Sequence, residues 1–211
     1  MGKIWCFGDS FTDKYIISNN KEYTNWKGYT PKTYHEVLSD KLNLTTNIIA
    51  EGGIDNYTIF SNVCKNINSM DDSIIIIGWT DIHRFRLYDS TFKTFKPVSP
   101  HFGHRRQKGF PYINGISDST IEEIFINRDN SEWKDEINDW VLLINKALPN
   151  STIIHWTWSN GIKRETITKE TNGVIKDFHY SESGHLDLAN WILNEIPNGS
   201  NRNPFLNTSI I

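Results

Sequence analysis

Four short apolar runs stand out from a polar background: Lys3-Ile4-Trp5-Cys6-Phe7, Thr46-Asn47-Ile48-Ile49-Ala50, Ser73-Ile74-Ile75-Ile76-Ile77 and Thr152-Ile153-Ile154-His155-Trp156. They lack a clean alternation of apolar and polar residues, which suits strands covered on both faces. Between them the period changes to that of a helix. Residues 132–148 place Trp133, Ile137, Trp140, Val141, Ile144 and Leu148 at helical spacing, with Ser131 available as a cap and Pro149 as a stop. Residues 31–42, opened by Pro31, and 57–70 predict two more helices. A last helix begins near Ser181, carries Leu186, Ala189, Ile192, Leu193 and Ile196 on one face, and stops at Pro197. Strands alternating with helices imply parallel pairing through right-handed crossovers, hence an α/β fold built as a three-layer α/β/α sandwich with a mainly parallel sheet.

One stretch resists this pattern. Residues 86–131 hold Phe92, Phe95, Phe102, Phe110 and Tyr112 among Pro97, Pro100 and Pro111, together with the basic cluster His104-Arg105-Arg106-Gln107-Lys108. A long aromatic and basic loop after a central strand reads as a lid or a substrate wall. With 211 residues, no internal repeat and no low-complexity linker, the chain reads as a single domain over 1–211 with this excursion and a C-terminal extension at 197–211.

Composition narrows the function by exclusion. Lys and Arg number 22 against 25 Asp and Glu, a net charge of −3, which lacks the basic footprint of a nucleic-acid binder. No window is long and apolar enough to span a bilayer, and the start of the chain shows no secretory signal pattern, so a soluble protein is expected, with compartment and oligomeric state left open. Cys6 and Cys64 do not suggest a disulfide framework and read as two buried thiols.

The chemistry sits where the strands end, because open α/β sheets bind ligands beyond the carboxyl ends of their strands. Gly8-Asp9-Ser10 follows the first run, Glu51-Gly52-Gly53-Ile54-Asp55-Asn56 the second, and Gly78-Trp79-Thr80-Asp81 the third. Before the last helix comes Asp177-Phe178-His179-Tyr180-Ser181-Glu182-Ser183-Gly184-His185. Each piece has a plain structural reading: Gly-Asp-Ser makes a good strand-to-helix joint, glycine turns are common, Thr80 can cap, and Asp177 can be solvated. Together they supply what acyl transfer from an ester needs, namely a hydroxyl nucleophile, an imidazole base, an orienting carboxylate and donors for the oxyanion. Ser10 is the candidate nucleophile, His179 the base and Asp177 the orienting acid. The Ser10 and Gly53 N–H groups and the Thr80 hydroxyl are the candidate oxyanion donors. His185, inside the first turn of the last helix, is the alternative base, otherwise a packed histidine. His155, in a strand, reads as a satisfied core histidine and His35 as a helix residue; His101 and His104 lack acidic or cysteine neighbours, so no metal site is expected.

These segments resemble the sequence blocks of the SGNH/GDSL hydrolase superfamily. Gly8-Asp9-Ser10 matches its first block, Gly53 its glycine block, Gly78-Trp79-Thr80-Asp81 its Gly-x-Asn-Asp block, and His179 to His185 its closing His-Pro-Ser-x-x-Gly-His run. The resemblance implies a flavodoxin-like α/β/α fold, no metal or organic cofactor, and ester hydrolysis through an acyl-serine. Two departures stand out: Thr80 occupies the asparagine position, and the acid precedes its histidine by two residues rather than three. The aromatic excursion tilts the expected substrate toward O-acetyl groups on a carbohydrate, with a small-molecule ester as the broader class. The rival is a non-catalytic carbohydrate-binding or virion-associated module that keeps the fold.

Overall fold

The computed structural model describes residues 2–13, 28–29, 32–98, 118–158, 166–168 and 176–198. Pro31, the basic cluster at 104–108, His101 and the extension beyond residue 198 lie outside them. In chain order the elements are β1 (Ile4–Gly8), α1 (Tyr34–Leu42), β2 (Thr46–Ala50), α2 (Asn56–Asn66), β3 (Ile74–Trp79), β4 (Phe85–Asp89), β5 (Thr94–Val98), α3 (Asp118–Asn127), α4 (Asn130–Ala147), β6 (Thr152–Thr157), β7 (Thr166–Thr168), β8 (Lys176–Tyr180) and α5 (Glu182–Glu195).

The four apolar runs form one parallel sheet in the order β2-β1-β3-β6, with Ile4 opposite both Thr46 and Ile74, and Ile74 opposite Thr152. Because strand side chains alternate between faces, each run supplies two cores. Trp5, Phe7, Ile75, Ile77 and Ile153 pack with Ile59 and Val63 of α2 and Ile137, Val141 and Ile144 of α4. Ile4, Cys6, Ile76, Ile154 and Trp156 pack with Tyr34 and Leu38 of α1 and Leu188, Ala189 and Ile192 of α5. The fold is therefore a three-layer α/β/α sandwich, and the unbroken isoleucine run of β3 is explained by a central strand covered on both sides. Each of Ile75, Ile76 and Ile77 is fully buried, a burial worth roughly 1.5–3 kcal/mol apiece.

Helix ends follow the capping residues more than the prolines. Helix α1 starts at Tyr34 with Thr33 as its cap, and the Thr33 N–H donates to Glu36 Oε2 at 2.9 Å, half of a capping box. Asp55 caps α2 by accepting from Thr58 N, and Asp129 caps α4 by accepting from Ser131 N, so Ser131 lies inside the helix rather than ahead of it. Ser181 caps α5, its Oγ accepting from Gly184 N at 3.2 Å. Cys6 is buried, where desolvation pushes its thiol up to about 12, but Cys64 is exposed on α2, contrary to expectation.

The segment expected to be one long loop carries regular structure. β4 and β5 pair antiparallel, Phe85 facing Val98 and Asp89 facing Thr94, and α3 follows from Asp118. The hairpin was hidden by weak alternation and by Pro97 within β5, which an edge strand tolerates. The buried Asp89 carboxylate lies 2.7 Å from Lys96 Nζ and accepts from the N–H groups of Thr91 and Phe92 across the turn; the ammonium holds the carboxyl below its usual range.

Candidate active site

Strand β1 ends at Gly8, and the chain folds back at once. Thr12 N and Asp13 N both donate to the Asp9 carbonyl, at 2.9 and 3.0 Å, making a tight turn with Ser10 on it. Glycine at two strand ends makes this possible. A Cβ on Gly8 would come within 2.2 Å of Thr12 Oγ1, and one on Gly78 within 2.7 Å of Trp156 and 2.8 Å of Thr12 Oγ1. Thr12 thus sits in space that any other residue at 8 or 78 would take.

Ser10 and His179 meet across this edge. His179 Nε2 lies 2.7 Å from Ser10 Oγ, hydrogen-bond distance for a hydroxyl donating to a neutral imidazole. His179 lies in β8, which pairs with β7. The register slips there, with Thr166 opposite Tyr180 but Thr168 opposite Lys176, so β8 is the longer strand across the interval. Phe11 packs against the imidazole at a ring separation of 4.8 Å, with Trp158 stacked on Phe11 at 4.9 Å and Tyr180 edge-on at 5.0 Å. This aromatic group restricts how far the His179 ring can turn. Asp177 belongs to β8 by its backbone, and its side chain lies outside the described part of the structure.

His185 is placed elsewhere. It lies in the first turn of α5, 3% exposed, with Nδ1 accepting from the backbone N–H of Tyr34 at 3.4 Å. It therefore serves the start of α1, and burial, together with His35 and His179 nearby, lowers its pKa to about 3. His155 is a core histidine as expected: Trp79 Nε1 donates to its Nδ1 at 3.1 Å, its Nε2 lies 3.0 Å from Asn145 Oδ1, and burial lowers its pKa to about 3.

These two histidines make the fold acid-sensitive. The unfolded chain takes up a proton on each near pH 6.5, whereas the folded chain resists until about pH 3, so the unfolded state holds more protons in between and stability is lost as pH falls through that window. By pH 4 the loss should be on the order of 3 kcal/mol per histidine. Urea denaturation at pH 7 and pH 4 should show it, with a shallower pH dependence in His155→Gln; equal slopes for the two proteins would exclude His155 as a source.

Thr80 does not point its hydroxyl proton at Ser10. The side chain is fully buried and donates to Asp9 Oδ2 at 2.6 Å, while its backbone N–H donates to Asn56 Oδ1 at 2.8 Å. A threonine has one hydroxyl proton, and here it is spent on Asp9. The N–H groups of Ser10 and Gly53 have no acceptor among the described residues, and Gly53 adopts φ +87°, a conformation that favours glycine.

Four further residues build the site and were not assigned roles from sequence. Asn56 fastens the loop after β3 to α2, its Nδ2 donating to the carbonyls of Thr80 and Asp81 at 3.3 and 3.1 Å. Arg84 Nη1 donates to Asp9 Oδ2 at 3.3 Å and to the Ile54 carbonyl at 3.1 Å. Trp158 Nε1 donates to Asp9 Oδ2 at 3.1 Å, and Phe11 backs the imidazole. Trp158 was findable, since it directly follows the fourth strand at the same edge; Arg84 carried no signal. Among the described residues no group of three or more His, Cys, Asp or Glu could hold a metal ion, and no helix is long and apolar enough to cross a membrane.

No family model matches the chain, and no curated protein does. Among solved structures it is similar to a family two carbohydrate esterase from Clostridium thermocellum in complex with cellohexaose, at 15% identity and a TM-score of 0.47 over 93% of this chain and 64% of that one. It is also similar to a carbohydrate esterase family 2 enzyme with a carbohydrate binding domain from Corynascus thermopiles (Myceliophthora fergusii), at 14% identity and 0.47 over 94% and 66%. A third is phospholipase A1 from Streptomyces albidoflavus NA297, at 12% identity and 0.41 over 93% and 75%. The chain spans just under two thirds of the length of the Clostridium esterase.

Proposed function

We propose that this protein is a serine esterase of the SGNH/GDSL type. The observation that carries the reading is the 2.7 Å contact between Ser10 Oγ and His179 Nε2 at the carboxyl edge of a parallel sheet. In the proposed reaction His179 takes the Ser10 proton as Oγ attacks the ester carbonyl, forming a tetrahedral oxyanion held by the N–H groups of Ser10 and Gly53. The imidazolium returns its proton to the leaving alkoxide as the C–O bond breaks, leaving an acyl-serine and a free alcohol. Water then adds to the acyl carbon, giving its proton to His179, and the carboxylic acid leaves as Ser10 recovers its hydrogen. Asp177 is the proposed orienting acid, two residues before the base, and Thr80 and Arg84 act on the nucleophile's turn through Asp9.

The proposed substrate class is an ester on a carbohydrate, such as an O-acetyl group. The support is the β4–β5 hairpin, which displays Tyr88, Phe92 and Phe95 more than half exposed, faces suited to stacking on sugar rings.

A fluorophosphonate probe should label Ser10 stoichiometrically, with the modified peptide identified by mass spectrometry, and Ser10→Ala should not be labelled. Absence of labelling in a folded chain that still binds glycans would favour the non-catalytic module instead.

A further inference from the structure

A cavity of about 310 Å³ lies between the start of α2, the segment leading into β4, and α4, with Tyr57, Phe85, Arg86, Trp133 and Trp140 in its walls. That volume is at the lower end of the range for small-ligand sites. Arg84 ties it to the nucleophile's turn, because the residue lines the cavity while its Nη1 reaches Asp9, the neighbour of Ser10.

Among the described residues, the charges lining this cavity are matched except for one. Arg84 has Asp9. Arg128 donates to Glu136 Oε2 at 2.7 Å and lies 3.7 Å from the Trp133 ring centroid. Asp55 spends its carboxylate on the N–H and hydroxyl of Thr58. Arg86 has no carboxylate: its guanidinium carbon lies 3.4 Å from the Tyr57 ring centroid and 4.5 Å from that of Phe95, and it makes no hydrogen bond or ion pair among the described residues. Ring faces attract a guanidinium but accept none of its in-plane N–H groups, so the fork that matches a carboxylate in two parallel hydrogen bonds is left without an acceptor. The indole N–H of Trp133, a residue 4% exposed in the same wall, also lacks an acceptor among the described residues.

We propose that this cavity is a substrate subsite for a carboxylate-bearing sugar ring of the uronic acid class, with Arg86 holding the carboxylate and the ring lying along the aromatic walls. The inference rests on the reading of the protein as a carbohydrate ester hydrolase and narrows its substrate. Two features select the class. Asp55 and Glu136 line the same cavity and penalise a phosphate dianion more than a carboxylate monoanion. The aromatic walls suit the C–H face of a ring, which a simple fatty carboxylate lacks.

Titration calorimetry on the intact chain tests it with galacturonate, methyl galactoside and acetate as probes. Galacturonate should bind at least about 10-fold more tightly than either of the others, the size of one charge-assisted hydrogen-bonded pair. The preference should vanish in Arg86→Gln and shrink in Arg86→Lys, which keeps the charge without the fork and covers the case in which the glutamine variant fails to fold. Equal binding of the two sugars, a preference that survives Arg86→Gln, or acetate binding as tightly as galacturonate would each overturn the proposal. None of these probes is an ester, so the hydrolase reading stands or falls separately, on labelling of Ser10 and on p-nitrophenyl acetate turnover.

Discussion

Ser10→Ala and His179→Ala should each lower kcat for p-nitrophenyl acetate by on the order of 10⁴-fold, and the double variant should be little worse than either alone. The non-additivity follows from the proposed chemistry, in which the serine is nucleophilic only because the imidazole 2.7 Å away takes its proton, so losing either group loses the same step. Circular dichroism should be unchanged, since Ser10 sits on a turn and His179 is only half-buried. If Asp177 is the orienting acid proposed, Asp177→Asn should cost less than either, because an amide could still orient the imidazole but could not stabilise its charged form. His185→Ala should behave differently, removing the acceptor for Tyr34 N and the packing against Tyr34 and Tyr180, so that stability falls and turnover largely persists. A His185→Ala chain that is folded and inactive, beside an active His179→Ala, would reverse the assignment.

How much of this was readable depended on the range of the interaction involved. The four strands and the pairing of α/β elements were legible because burial on both faces of a sheet forces continuous apolar runs, and Ile74 to Ile77 record that requirement directly. The start of α1 was misjudged because Pro31 is a permissive signal, whereas the Thr33 and Glu36 pair closes real hydrogen bonds three residues later. The hairpin within the excursion was missed because β4 and β5 are half-exposed, so their side chains carry little burial pattern; what stabilises them includes the Asp89–Lys96 pair, seven residues apart and visible only once the turn is formed. At the site, the strand-end rule pointed to Ser10, Gly53, Thr80 and His179, but it could not say what each hydroxyl would touch. Thr80 is read from the sequence as an oxyanion donor, whereas in the structure its hydroxyl donates to Asp9, a partner 71 residues earlier in the chain.

Asp9 is therefore the residue whose loss should most disturb the fold of the site. Its carboxylate is 1% exposed and accepts from four donors: Phe11 N at 3.1 Å on Oδ1, and Thr80 Oγ1 at 2.6 Å, Trp158 Nε1 at 3.1 Å and Arg84 Nη1 at 3.3 Å on Oδ2. Asp9→Asn keeps the shape and can keep the Oδ1 bond, but it sets an NH₂ group against three donors and leaves the Arg84 charge without its carboxylate. Breaking one side of a buried pair in this way costs about 3–5 kcal/mol, a large share of the stability of a typical domain. Activity should fall about 10- to 100-fold in the folded fraction, because Asp9 holds Trp158, Trp158 stacks on Phe11, and Phe11 packs on the imidazole. Thr80→Val removes one of the four donors and should cost about 1–2 kcal/mol. In the Asp9→Asn background the same change should cost less, since the hydroxyl has by then lost its acceptor, giving a coupling of about 1 kcal/mol in a double-mutant cycle read by urea denaturation. A Thr80→Val protein of unaltered stability and kcat lowered 100-fold would instead make that hydroxyl a direct oxyanion donor, released from Asp9 when substrate binds.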